Sequence, residues 1–178
     1  MQTPTRLNPV ISKNEAIKLV KNTAKFSHAL IASAMMKKIA ERLGESSLEW
    51  ELVGLLHDLD IDETRNNMNK HGIIASEALK GKLPEHCLYA IKAHDHRTGF
   101  KPESKLDKAL IAVDSVAVLL ERVRTQLMEL DLEAIKAQIE VVALEQPWHK
   151  RNILKCREIG LSLEEFLLIC LVSFEGNR

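Results

Sequence analysis

Apolar residues recur along this chain at helical spacing, and the alternate-residue pattern of a half-buried strand is absent. Over residues 26–43 the apolar stripe is Ile31, Met35, Ile39 and Leu43, stepping by four, and Gly44 follows where a helix C-cap belongs. Ser12-Lys13-Asn14-Glu15 has the S-x-x-E form of a capping box and opens a short helix through Ile17, Leu19 and Val20. Ser46-Ser47-Leu48-Glu49 repeats that form ahead of a helix over 50–59. A polar loop is expected over 60–69. His71 is expected to begin a helix ending near Gly81, and Pro84 to occupy the first turn of another that ends near His94. A turn-like segment over 97–104 leads into a long helix over about 105–127. Further helices are predicted over 132–144, from Pro147 to a stop at Gly160, and from a cap at Ser162 and Glu165 onward.

There is no internal repeat, low-complexity tract or interdomain linker. The pattern therefore predicts an all-α fold, a compact helical bundle in one domain over 1–178. Its inner helices would span about 26–122 and its C-terminal helices about 131–175.

Composition narrows the function classes. The 25 basic and 25 acidic residues cancel, which argues against extended nucleic-acid or membrane-surface binding. Cys87, Cys156 and Cys170 form no CxxC pair and look like small buried hydrophobes in a reduced compartment. Residues 1–8 are polar and carry no secretory signal, and the longest apolar stretch, 166–174, is about half a membrane span. The expected location is cytoplasmic.

Against this background a few polar residues stand on apolar helix faces. His28 lies three residues before Ile31 and seven before Met35, on the inward stripe. His57 is four residues after Val53, and Asp58 follows it at a helix end. His71 aligns with Ile74, Ala75 and Ala78, and His94 with Cys87, Ala90 and Ile91. Asp114 interrupts the run from Ala109 to Leu120 and shares a face with Leu110 and Ala117. Each has an ordinary alternative. A single such histidine is commonly a hydrogen-bonded core residue, His71 could be a half-exposed helix start, and Asp114 could pair with a lysine or arginine. A metal ion accounts for the six together, whereas the alternative needs a separate partner for each.

Imidazole and carboxylate without thiolate suit Mn, Fe, Zn, Co or Ni rather than Ca. One or two such divalent ions are expected. Two would carry +4, of which Asp58 and Asp114 remove two and a hydroxide one, leaving positive charge suited to an anionic substrate.

The order H…HD…H…H…D resembles the HD superfamily of metal-dependent phosphohydrolases. The matching pieces are Ser27-His28-Ala29, Leu55-Leu56-His57-Asp58-Leu59-Asp60, Lys70-His71-Gly72-Ile73, Ala90-Ile91-Lys92-Ala93-His94 and Ala112-Val113-Asp114-Ser115. The chain is similar in particular to a group of small single-domain HD hydrolases, through the stretch from Glu103 to Leu110 and the tail around Cys156 to Phe166. The resemblance implies that His28, His57, Asp58 and Asp114 hold a first metal. His71 and His94 would complete a second site, with Asp58 bridging. It also implies hydrolysis of a phosphate ester, on a nucleotide or small phosphorylated metabolite, through a metal-bound hydroxide. The chain departs from the commoner H-D-I-G form, having Asp58-Leu59-Asp60-Ile61-Asp62, so the following loop should differ in shape.

Among neighbouring residues, Asp60, Asp62 and Glu63 could supply a general base or a partner for a ligand histidine; otherwise they form a solvated acidic loop. Lys70, Arg97, Lys101, Lys150 and Arg151 could clamp phosphate or lie on the surface. Asp58, Asp60 and Arg97 are the expected catalytic residues, and Lys70, His96, Arg97 and Arg151 the expected substrate contacts. His86 and His149 are expected to be exposed. Two alternatives stay open: a metal-stabilised sensing or interaction module, and a di-iron oxygenase. Oxygenation would require iron, while phosphohydrolysis should tolerate Mn, Co or Ni.

Overall fold

Helix starts are set by short polar side chains bonding free backbone amides. Ser12 forms the expected capping box with Glu15 and opens α1 (Lys13–Val20). The same device, Ser104 with Asp107, opens α7 (Lys105–Val123), with the Asp107 carboxylate accepting from the Ser104 amide at 3.0 Å. Asp131 caps α8 (Leu132–Glu145) and Ser162 caps α10 (Leu163–Glu175), each accepting from the amide three residues on. The computed structural model describes residues 11–124 and 130–176. The polar start at 1–8 and the expected end of the long helix at residue 127 lie outside those residues.

The remaining helices are α2 (Phe26–Leu43), α3 (Ser47–Leu56), α4 (Ile61–Thr64), α5 (Ile73–Ala78), α6 (Glu85–Ala93) and α9 (Pro147–Ile153). No β-strand occurs among the described residues. The fold is all-α, as the pattern predicts. No described helix is long and apolar enough to cross a membrane.

Helices α2 and α7 pack against each other at the centre. α3 and α10 lie against α2, and α6 and α9 against α7. Nearly all of the buried apolar residues form one continuous cluster, from Ile11 to Phe174. α3 approaches α2 closely at Gly54. A Cβ there would stand 2.8 Å from the Ala32 carbonyl oxygen, so a larger residue would separate the two helices that carry His28 and His57.

Several local expectations are corrected. Ser46 makes no side-chain cap, and the Glu49 carboxylate, instead of reaching back to the Ser46 amide, faces His86. The stretch 60–69 is not a plain loop; it contains α4 and a 3₁₀ turn, Met68–Lys70. His71 precedes its helix in an extended conformation, with Gly72 as the N-cap of α5. Pro84 is itself the N-cap of α6. The helix from Pro147 tightens to 3₁₀ geometry over Leu154–Ile159 before Gly160.

Candidate metal centre

The six residues singled out from the sequence converge. His28 comes from the first turn of α2 and Asp114 from the middle of α7. His57 and His94 sit at the C-caps of α3 and α6. Asp58 follows His57, and His71 lies just before α5. The imidazoles form a chain, with ring centroids 5.4 Å apart for His28 and His57, 5.1 Å for His57 and His94, and 4.8 Å for His71 and His94. All four histidines and Asp58 are buried. The Asp114 side chain keeps 30% of its exposure and marks a solvent-facing side of the cluster.

Every imidazole is held from behind through Nδ1. His57 Nδ1 donates to the Gly54 carbonyl at 2.8 Å and His94 Nδ1 to the Ile91 carbonyl at 2.6 Å. His71 Nδ1 faces Asp60 Oδ1 at 2.8 Å, and His28 Nδ1 faces Glu121 Oε2 at 2.9 Å. Carbonyls and carboxylates only accept, so each neutral ring places its proton on Nδ1 and turns a lone pair on Nε2 inward. This is how outer partners orient histidine ligands of a metal.

The inward atoms then lack enough protons to satisfy one another. His71 Nε2 and His94 Nε2 stand 3.2 Å apart, lone pair to lone pair in the neutral rings. His57 Nε2 is buried with no hydrogen-bond partner among the described residues, an arrangement that needs an explanation. The carboxylates stand among them. Asp58 Oδ1 is 3.0 Å from His71 Nε2, 3.4 Å from His57 Nε2 and 3.7 Å from His94 Nε2, and Asp58 Oδ2 is 3.9 Å from His28 Nε2. Asp114 Oδ1 lies 3.1 Å from His28 Nε2 and 3.7 Å from His57 Nε2. Donors about 2.1 Å from a shared ion are separated by roughly 3.0–3.4 Å as neighbours in octahedral or tetrahedral geometry. The observed spacings suit such an ion with small adjustments. Two overlapping groups, His28–His57–Asp114 and His57–Asp58–His94, bring one donor atom from each residue within 4.8 Å of the others. The two Asp58 oxygens face different histidines, as a bridging carboxylate would.

Charge follows the same geometry. Burial works against the His28 imidazolium, but hydrogen bonds to Asp114 and Glu121 outweigh it and lift its pKa to about 10. Burial likewise opposes protonation of His71, and Asp58 and Asp60 raise it to about 9. Burial also opposes ionisation of Asp58 and Asp114, yet the surrounding imidazoles hold both well below the usual carboxylate range. Protons therefore occupy the metal-free cluster. Their stabilisation of the metal-free fold is complete below the ordinary histidine pKa of 6.5 and is lost as pH rises through about 9 and 10. Metal uptake has the opposite sign. Each displaced proton should raise apparent affinity about tenfold per pH unit over that window. Chelator competition at several pH values measures this, and a flat profile from pH 7 to pH 9 would contradict it.

The neighbouring expectations fare unevenly. Asp60 is not a free base: Oδ1 faces His71, and Oδ2 accepts from the amides of Gly72 at 2.8 Å and Ala75 at 2.9 Å. It positions His71. Asp62 turns outward to Arg65 and the Ala24 amide, and Glu63 is exposed. Arg97 is committed to an ion pair with Asp95, which also caps its backbone amide. Lys70 and Arg151 are exposed, and Lys150 pairs with Glu140 at 2.7 Å. His96, 81% exposed in its side chain, lines a cavity of about 410 Å³ together with His94, Lys101, Asn152 and Lys155. Arg151 is thus one residue from the helix position that reaches the cavity.

Sequence reasoning missed Glu121 and His149. Glu121 lies seven residues beyond Asp114, on the same stripe of α7, and that spacing could have revealed it. His86 keeps 57% of its side-chain exposure, as expected. His149 is buried, against expectation, with Nδ1 unpartnered. Its stripe-mates Ile153 and Cys156 were the available signal. Burial, and secondarily Arg122, push its pKa below 6.5 despite an opposing pull from Asp114.

Comparison of the chain with protein-family profiles, curated proteins and solved structures finds no match. The geometry of the buried His/Asp cluster thus carries the functional argument.

Proposed function

We propose that this protein is a metal-dependent phosphohydrolase of HD type, acting on a small phosphate ester such as a nucleotide. One observation carries this reading. Four inward Nε2 atoms and two carboxylates form two overlapping groups of close donor atoms, and His94 also lines a cavity with Lys101 and Lys155. When bound, one or two divalent ions (Mn, Fe, Zn, Co or Ni) supply Lewis acidity toward a phosphoryl oxygen and bring the pKa of water near neutral.

The protein's own groups do the remaining work. Asp58 and Asp114 supply the negative charge that holds the ions. Asp60, Glu121 and the carbonyls of Gly54 and Ile91 fix the imidazoles. Lys101 and Lys155 give the cavity two cations for a phosphate, Lys155 being held only loosely by Glu158 at 3.7 Å, and Asn152 a neutral polar contact. The volume of about 410 Å³ suits a metabolite-sized substrate rather than a polymer.

The test is release of phosphate from phosphomonoester, phosphodiester and nucleotide panels by protein loaded with Mn, Co or Ni. Lys155→Ala should lower kcat/KM at least about tenfold, chiefly through KM, because a charged contact is worth roughly 1.5–3 kcal/mol. Its metal content should stay unchanged. Turnover with iron and oxygen alone, or none on any phosphate, would overturn the proposal.

A further inference from the structure

We propose that Glu49, His86 and Cys87 form a second metal site, separate from the Asp58 centre, for a thiophilic divalent cation, zinc foremost. Glu49 lies in the first turn of α3, and His86 and Cys87 in the first turn of α6. One donor atom from each lies within 4.8 Å of the other two. Glu49 Oε2 already faces His86 Nε2 at 3.1 Å.

The diversion of Glu49 supports this assignment. The S-x-x-E pattern places it to cap its own helix, yet Ser46 makes no cap and the carboxylate is buried against α6. A buried carboxylate is costly unless a cation or several donors meet it. Among the described residues its side-chain hydrogen-bond partner is the His86 imidazole, which keeps 57% of its side chain exposed and still competes with water for that contact. The Cys87 thiol is fully enclosed beside them.

The group also has access and charge. Glu49 and His86 line the wall of a cavity of about 660 Å³, shared with Glu45, Glu85 and Lys105. Carboxylates outnumber the cations there, which favours cation entry. The cavity leaves room for water as a fourth ligand. A sulfur, nitrogen and oxygen donor set suits zinc. The Asp58 centre offers no sulfur, so the two sites have different spectroscopic signatures.

The full-length chain loaded with Co²⁺ is expected to show thiolate-to-cobalt charge-transfer absorption in the near ultraviolet. Cys87→Ser should remove it, while Cys156→Ser and Cys170→Ser should not. His86→Gln, at a side chain that is not part of the core, should weaken one class of zinc binding at least about tenfold and leave the other intact. Absence of the thiolate band, its survival in Cys87→Ser, or unchanged zinc binding in His86→Gln would overturn the proposal. None of these readouts depends on phosphohydrolysis.

Discussion

In the two-ion form of the proposed centre, Asp58→Ala is expected to take bound metal from about two ions per chain to near none. Asp114→Ala should leave about one. The difference follows from position. Asp58 Oδ1 stands 3.0–3.7 Å from His71, His57 and His94, while Oδ2 faces His28. Among the described residues, Asp114 comes within 4 Å of the His28 and His57 ring nitrogens. Loss of Asp58 therefore removes a ligand from both half-sites, and loss of Asp114 removes one from a single half-site. The affinity loss should exceed the roughly 10–100-fold that follows loss of an outer partner of a metal ligand. The metal-free fold should also suffer, because Asp58 is the buried counter-charge of protonated His71 and also raises the His94 pKa against burial. Breaking a buried ion pair costs about 3–5 kcal/mol. That cost should be largest below pH 6.5, where these imidazoles are charged even when unfolded. Elemental analysis counts the ions outside the Cys87 group when done on Cys87→Ser chains, and denaturant titration with and without chelator reads stability. Full metal content in Asp58→Ala would sink the assignment of the centre.

The residues of the buried His/Asp cluster were legible because a charged or imidazole side chain on an apolar stripe is a conflict that local sequence displays. Asp114 between Val113 and Ser115 is the plainest case. The all-α fold was legible for the same reason, since periodicity records which face is buried. What holds the ligands was less visible. The carbonyls of Gly54 and Ile91 carry no side-chain signature at all. Asp60 lies in a stretch that reads as a solvated acidic loop, and only the return of Gly72 and Ala75 against it makes it a buried positioning residue. Arg97 was misplaced because Asp95, two residues earlier, takes both its guanidinium and its amide. The place of Lys155 on the cavity was unreadable because it depends on how α9 tightens into the 3₁₀ segment before Gly160.

Gly72→Ala should unseat one half of the metal centre without touching a ligand. Gly72 has φ of +80°, which costs a side-chain-bearing residue about 1–2 kcal/mol. A Cβ there would stand 2.4 Å from the Ile91 carbonyl oxygen and 3.2 Å from His94 Nδ1. That carbonyl is the acceptor that orients His94. The Gly72 amide in turn donates to Asp60, the residue behind His71. Alanine must therefore push the end of α6 away from α5 and loosen both histidines. Strain and displacement together should cost about 3 kcal/mol or more, or roughly 6–12 °C in Tm for a chain of this size. Metal content at the Asp58 centre should fall by about one ion, from the Asp58–His71–His94 side, while His28, His57 and Asp114 retain theirs. Gly81→Ala is the matched control. Gly81 also has positive φ, +72°, but a Cβ there meets nothing within 4 Å. It should show the backbone strain alone, with full metal content. If the two variants lose equal stability and bind equal metal, close packing at Gly72 does not position His94; if only Gly72→Ala loses metal, the second half-site depends on the absence of that one carbon.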